Sequence, residues 1–83
     1  MAVVLLPSLL ATEAGGRSRF EVDAPTVEAA LQQLPVSDLL FDEHGRLRSL
    51  VNVYVDGKDV RDRGGLSAPP GDEVRVVAAV AGG

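Results

Sequence analysis

A strand followed directly by a two-residue turn is the feature that most restricts how this chain can fold. Apolar and polar residues alternate over Leu50–Val55, which is the pattern of a strand with one buried face. Asp56 and Gly57 follow at once, and this pair favours a type I′ turn because both central residues of that turn need positive φ. The pattern predicts a β-hairpin with a short return strand over Lys58–Arg61.

Two more strands are predicted before this hairpin. Ala2–Pro7 is a run of small and branched apolar residues, suited to a strand that is buried on both faces. Arg17–Val22 alternates polar and apolar side chains and predicts a half-exposed strand. Ala14-Gly15-Gly16 supplies a turn or loop between them, so we expect a hairpin with a long connecting loop.

The clearest helix follows the second strand. Four apolar residues recur at the spacing of one helix face: Val27, Ala30, Leu31 and Leu34. Thr26 is suited to cap the N-terminus, and Pro35 ends the helix because the residue before a proline is pushed out of the α region. We expect a helix of about ten residues, long enough to cover one face of a small sheet. Val36–Phe41 is predicted to form one further short turn of helix.

The remaining segments complete an α+β pattern. Asp62–Glu73 is a loop rich in Gly and Pro, with Leu66 as its expected anchor in the core, and Val74–Val80 is apolar on both faces and predicts a central strand. A last strand that is central and parallel to the first, with one main helix across the sheet, describes a β-grasp (ubiquitin-like) fold. We therefore expect a mixed sheet of four to five strands, although other α+β sandwiches of this size fit the same order.

Length and composition restrict the possible functions. Eighty-three residues make one domain, which we assign to residues 1–80, with a flexible tail over residues 81–83. The net charge is −4 and the bases are scattered, which argues against nucleic-acid binding and favours docking on a more basic partner. The chain has no cysteine and one histidine, so thiolate and multi-histidine metal sites are excluded, and we expect no bound cofactor.

The N-terminal segment has no features of a targeting signal. Met1–Leu10 is apolar, but it lacks a basic start, is interrupted by Pro7 and is too short to span a membrane. We therefore expect a soluble, cytoplasmic protein. The expected state is a monomer that forms transient complexes with other proteins.

The chemistry is predicted to lie at the C-terminal end, in Val80-Ala81-Gly82-Gly83. These four residues can extend roughly 13–14 Å at about 3.3–3.6 Å each. Glycines carry no Cβ, so such a tail can enter a slot that any side chain would block. A carboxylate on this tail can therefore enter the active site of another protein. Adenylation by ATP would turn it into an acyl donor that a sulfur nucleophile can attack.

Several motifs resemble those of the MoaD/ThiS family of ubiquitin-like sulfur carriers, and within it most of all the actinobacterial CysO type. They occur in the order and spacing of the family and cover roughly the C-terminal half of the chain. The matching segments are Leu50–Asp56, Asp59-Val60-Arg61, Gly64-Gly65-Leu66, Gly71-Asp72-Glu73-Val74 and Ala79–Gly83. One departure is Ala78-Ala79, where related tails often carry proline. That difference bears on the stiffness of the tail and on partner choice.

The resemblance implies a β-grasp fold and a role as a carrier rather than an enzyme. By position, Gly83 would be adenylated and thiocarboxylated, while Gly82 and Ala81 would give it access to the partner. The implied partners are a ubiquitin-activating-type adenylyltransferase, which consumes the ATP, and a sulfur-acceptor synthase. The acceptor could belong to the synthesis of cysteine, molybdopterin, thiamine or a thio-natural product.

Two other functions are compatible with a β-grasp fold of this sequence. A ubiquitin-like protein modifier would pass through the same adenylate before conjugation to lysines, although Lys58 is the only lysine on which chains could grow. A β-grasp adaptor would not need the C-terminus at all. His44 and the pair Asp42-Glu43 are interpreted as exposed loop residues, and Gly64-Gly65 as a tight turn rather than a phosphate loop. Tyr54 is interpreted either as part of a docking patch or as a half-buried strand residue.

Overall fold

The computed structural model describes residues 1–78. Within these residues the strands are Ala2–Leu5 (β1), Arg19–Val22 (β2), Val51–Val55 (β3), Lys58–Asp59 (β4) and Glu73–Ala78 (β5). The helices are Ser8–Glu13 (α1), Val27–Gln32 (α2) and Ser37–Leu40 (α3), and 3-10 turns cover Val60–Arg63 and Gly65–Ser67. No helix in this part of the chain is long and apolar enough to cross a membrane.

The strands form one mixed sheet in the order β2-β1-β5-β3-β4. The last strand, β5, lies between β1, to which it is parallel, and β3, to which it is antiparallel. The pairs β1–β2 and β3–β4 are antiparallel and occupy the two sides of the sheet. This arrangement confirms the predicted β-grasp fold, with the last strand central and parallel to the first.

One face of the sheet packs against the helices and forms the core. Its most deeply buried large side chains come from strands and helices alike: Val4, Val27, Leu31, Leu40, Val53, Val55 and Val74. Leu66 is half-buried and packs against this core, as predicted. Burial alternates along β1, where Val3 and Leu5 are only half-buried, so the prediction that this strand is buried on both faces is wrong. Helices cover a single face, and the other face is open.

A short helix lies where the sequence predicted only a connecting loop. The N–H of Ala11 donates to the carbonyl of Pro7, and the helix α1 buries Leu10 and Ala11 against the core. Proline is favoured at position 7, directly before α1, because it cannot continue a strand ladder and its fixed φ suits the start of a helix. The antiparallel strands β1 and β2 are therefore connected by a short helix rather than by a loop alone.

The main helix begins as predicted and ends earlier. The Thr26 hydroxyl oxygen accepts a hydrogen bond from the N–H of Ala29 at 3.1 Å, which confirms Thr26 as the cap. Regular helix ends at Gln32, and the N–H of Leu34 then donates to the carbonyl of Leu31 in a tighter turn. The predicted apolar face, including Leu34, is buried although the regular helix is shorter than ten residues.

The predicted hairpin forms, but its return strand is short. Asp56 and Gly57 have φ values of 50° and 85°, as a type I′ turn requires. The return strand covers Lys58–Asp59 instead of Lys58–Arg61. It ends because the Asp59 carboxylate accepts a hydrogen bond from the N–H of Arg61 at 2.9 Å and caps the 3-10 turn that follows.

Candidate functional site at the end of the central strand

The predicted functional residues follow the end of β5. Ala81, Gly82 and Gly83 lie outside the described residues, as does the predicted domain boundary at residue 80, so these assignments stay predictions. The last described residue, Ala78, faces Val51 of β3 and packs against the core. The five residues that follow can span at most about 16–18 Å, at about 3.3–3.6 Å each. Gly83 is thus within that distance of Ala78.

The start of β5 is fastened to the hairpin turn by one carboxylate. The Asp56 side chain accepts hydrogen bonds from the N–H of Asp72 at 3.2 Å and from the N–H of Glu73 at 3.0 Å. The N–H of Asp56 donates to the carbonyl of Glu73 at 2.9 Å. The N–H of Val3 donates to the carbonyl of Asp72, also at 2.9 Å, so the strand is fixed to β1 as well.

Gly71 makes this fastening possible. Its φ is +63°, a left-handed conformation that favours glycine. A Cβ on Gly71 would overlap with the Asp56 carboxylate. The Gly71-Asp72-Glu73-Val74 motif therefore has a structural explanation: it lets the chain pass closely over the turn and enter the central strand.

The strand β5 is paired with β1 and β3 at its start, but towards Ala78 it is paired with β3 alone. Its register with β1 pairs Val3 with Glu73 and ends where Leu5 faces Arg75. Its register with β3 continues to Ala78. Pro7, soon after β1, has no N–H and cannot extend the parallel ladder. The last residues before the tail are therefore held from one side, by β3.

The open face of the sheet carries two pairs of opposite charges beside apolar residues such as Val77. Arg75 donates to the Glu73 carboxylate at 3.2 Å, and Arg19 lies 3.7 Å from the Glu21 carboxylate. Tyr54 is half-buried on this face, opposite Arg75 in register. Its position fits the interpretation of a half-buried strand residue, and its role in docking stays a prediction.

The other residues considered from the sequence lie in exposed turns. The Asp42 carboxylate accepts from the N–H groups of Arg46 at 3.0 Å and His44 at 2.8 Å, which lowers the pKa of Asp42. His44 and Glu43 are exposed, as predicted. Gly64 and Gly65, both at positive φ, join the two 3-10 turns, which confirms the tight-turn interpretation. Residues 1–78 contain no group of three or more side chains suited to hold a metal ion.

A charged pair lies beside the end of the hairpin. The Arg61 guanidinium donates to both carboxylate oxygens of Asp59, at 3.1 and 2.8 Å. These side-chain bonds, together with the N–H of Arg61, lower the pKa of Asp59 to about 2. The Asp59-Val60-Arg61 motif thus stabilises the turn after β4 and supplies no acid or base for catalysis at neutral pH.

Sequence reasoning missed the role of Asp56 beyond its turn. Asp56 was interpreted only as the first residue of a hairpin turn, whereas its carboxylate also holds the segment sixteen residues later. The sequence did contain both partners of this contact: Asp56, whose carboxylate can accept hydrogen bonds, and Gly71-Asp72, where a glycine precedes a backbone N–H that can donate one. Only the fold brings them together.

Comparison with known proteins agrees with this architecture. The chain is 35% identical over 96% of both sequences to the sulfur carrier protein CysO of Mycobacterium tuberculosis H37Rv. CysO in the Amycolatopsis orientalis BexX/CysO complex superposes with a TM-score of 0.82, with 31% identity and full coverage of both chains. SAMP1 from Haloferax volcanii has a TM-score of 0.73 and 28% identity, covering 99% of this chain and 98% of that protein.

The sequence model of the ThiS family matches residues 4–83, which is nearly the whole chain and includes both terminal glycines. The match extends the resemblance noted in the C-terminal half to the N-terminal strands and helices. The chain therefore belongs to the ThiS family.

Proposed function

We propose that this protein is a sulfur carrier in which the carboxylate of Gly83 is converted to a thiocarboxylate. The observation that carries the proposal is the short separation in sequence between the central strand and the two terminal glycines. The central strand is described as far as Ala78, and the two terminal glycines are the fourth and fifth residues after it, in a chain 35% identical to a sulfur carrier protein. The folded body would act as a handle, and the tail would carry the reacting group.

The proposed chemistry requires activation first. A carboxylate resists nucleophiles because it is negatively charged and has no good leaving group. Attack of the Gly83 carboxylate on the α-phosphate of ATP gives an acyl-adenylate and releases pyrophosphate. Hydrosulfide then forms a C–S bond at the acyl carbon and displaces AMP, and loss of the remaining proton from sulfur leaves the thiocarboxylate. Stabilisation of charge in these steps is the task of the partner enzyme.

The proposed partners are a ubiquitin-activating-type adenylyltransferase, which binds and consumes ATP, and a sulfur-acceptor synthase. The similarity to CysO in a complex with BexX supports the formation of such hetero-complexes. The acceptor pathway, among cysteine, molybdopterin, thiamine and thio-natural products, would be set by the synthase. Because activation consumes ATP, we expect the reaction to take place in the cytoplasm.

The proposal is tested by intact mass spectrometry. The protein is incubated with the adenylyltransferase of the same organism, ATP and a sulfide source, and the mass is expected to show one oxygen replaced by sulfur, with fragmentation locating it at Gly83. A control lacking Gly82 and Gly83 should keep its fold, because Ala78 and everything before it are unchanged, and should gain no sulfur. Sulfur gained equally by the truncated control would contradict the proposal.

A second candidate is attachment of Gly83 to lysines of other proteins. The similarity to SAMP1, a protein called a small archaeal modifier, favours it, and the same adenylate would serve both functions. Lys58, on the short strand β4, is exposed and is the only lysine for self-conjugation. Peptides with Gly83 joined to target lysines in cell extracts would support this function, and their absence from extracts with active adenylyltransferase would count against it.

A further inference from the structure

One groove beside the base of the tail collects most of the exposed large apolar side chains. Five such side chains are exposed within residues 1–78, and three of them line this groove: Leu9 of α1, Leu39 of α3 and Leu50 before β3. Their exposed fractions are 63%, 43% and 50%, respectively. Ala78 also lines the groove, whose volume is about 640 Å³. We call the surface formed by these four residues the leucine groove.

The walls of the leucine groove are fixed by hydrogen bonds. The N–H of Arg48 donates to the carbonyl of Leu40 at 2.8 Å, and its guanidinium donates to the carbonyl of Asp38 at 3.1 Å. These bonds join α3 to the segment that carries Leu50. On the other side, α1 is anchored by the buried side chain of Leu10. The leucines are thus held in place on an ordered frame, and a cluster of this kind is typical of an interaction surface.

We propose that the leucine groove is the docking surface for the adenylyltransferase, which would insert a loop or helix bearing apolar side chains. This inference rests on the proposed function. The length of chain after Ala78 supports this proposal. Gly83 is the fifth residue after Ala78, and five residues span at most about 16–18 Å. An enzyme that holds Gly83 in its active site must therefore approach the surface around Ala78, and the leucine groove begins there.

The residues that follow Ala78 are a poorer occupant. Beyond Ala78 the tail contains one large apolar residue, Val80, whereas the groove exposes three leucines. Glu13 and Arg48 also line the groove, and the residues after Ala78 have no charged side chain with which to match them. A partner segment can match both the apolar floor and these two charges.

The inference is tested by measuring the Kd of the full-length chain for the adenylyltransferase of the same organism by calorimetry. The variant Leu39→Gln/Leu50→Gln is compared with Leu39→Met/Leu50→Met, which keeps the apolar surface. Both sites are exposed enough for the fold to survive, and circular dichroism checks this. We expect the glutamine pair to raise Kd by about tenfold or more and the methionine pair to leave it within about threefold.

Adenylation of Gly83 is measured on the same samples, which separates this inference from the proposed function. Equal Kd values for the glutamine pair and the unchanged chain overturn the docking inference, whether or not Gly83 is adenylated. Failure of the unchanged chain to bind the enzyme also overturns it. Loss of binding by the glutamine pair supports it, even where the bound unchanged chain is not adenylated and the proposed function fails.

Two further outcomes would assign another occupant and overturn the inference. In the free protein, a change in the methyl NMR signals of Leu9, Leu39 and Leu50 on Val80→Ala would indicate that the tail occupies the groove. A dimer in sedimentation that the glutamine pair dissociates would indicate a second copy. We expect a monomer and unchanged leucine signals.

Discussion

Asp56 connects two segments that are far apart in sequence, the β3–β4 turn and the start of β5. Its backbone forms the β3–β4 turn, with φ at 50°, and its carboxylate holds the N–H groups of Asp72 and Glu73. A carboxylate bonded to backbone N–H groups contributes more than a neutral acceptor does. This side chain therefore helps to fix the start of β5, together with the backbone bonds to β1, and Gly71 leaves the space for it.

Gly71→Ala is expected to destabilise the protein more than Gly45→Ala. Both glycines have positive φ, 63° and 77°, so both substitutions carry the left-handed penalty of about 1–2 kcal/mol. Only at Gly71 does the new Cβ overlap with the Asp56 carboxylate, which should add roughly 1–3 kcal/mol of overpacking. Urea unfolding of the two variants measures the difference, and equal losses would contradict the close fit at Gly71.

The Asp59–Arg61 pair predicts a pH dependence of stability. The pKa of Asp59 is lowered to about 2 by the Arg61 side chain, so its carboxylate stabilises the folded state fully above about pH 4. This stabilisation is lost as the pH falls from about 4 to about 2, because the folded state then binds the proton that the unfolded state has already taken up.

Asp59→Asn isolates this effect. The asparagine oxygen can still accept from the N–H of Arg61, so the cap remains, while the charge and the hydrogen bond to the second carboxylate oxygen are lost. Unfolding by urea should show the natural chain more stable than the variant at pH 5, with the difference shrinking towards pH 2. Asp42, whose pKa is also lowered, is common to both chains and cancels in the comparison. A difference that stays constant over this range would contradict the assignment.

Among the helices, α1 packs into the core through Leu10 and lines the leucine groove beside Ala78 through Leu9. Leu10 is buried, with 7% of its surface exposed, whereas its neighbour Leu9 is 63% exposed. Leu10→Ala is expected to cost about 2–5 kcal/mol of unfolding free energy, because it leaves a cavity. Leu9→Ala should change stability by no more than about 0.5 kcal/mol. Chemical unfolding tests this pair, and a large loss at Leu9 would show that α1 packs the other way round.

The sequence predicted elements well where local chemistry decides them. The turn at Asp56-Gly57, the cap at Thr26 and the central last strand all follow from residue types and periodicity. The helix α1 was missed because six residues after Pro7 are too few to show a helical period. The return strand was predicted too long because its end depends on a side-chain cap by Asp59.

The candidate site likewise has one part that the sequence predicts and one part that only the fold reveals. Gly82 and Gly83 are assigned from the sequence alone, because a glycine pair after a strand has a direct chemical interpretation, and this assignment stays a prediction. The leucine groove was not predicted, since it is assembled from three segments that come together only in the fold. Leu9, Leu39 and Leu50 each resemble core residues in the sequence.

At the scale of the whole molecule, the dimensions suit a body that delivers its terminus to another protein. The described part measures 31 × 25 × 23 Å. A tail of at most about 16–18 Å is shorter than the body is wide, so the partner's active site and the body must lie side by side. In the proposed function, recognition of the body and reaction at Gly83 would then be coupled by distance, which is why we place the docking surface near Ala78.

The central claim is that the reacting group is the backbone carboxylate of Gly83. The most direct measurement is ATP–pyrophosphate exchange catalysed by the adenylyltransferase of the same organism in the presence of this protein. We expect exchange that depends on the full-length chain and disappears when Gly82 and Gly83 are deleted. Exchange that persists with the truncated chain, or none with the full-length chain bound to the enzyme, would contradict it.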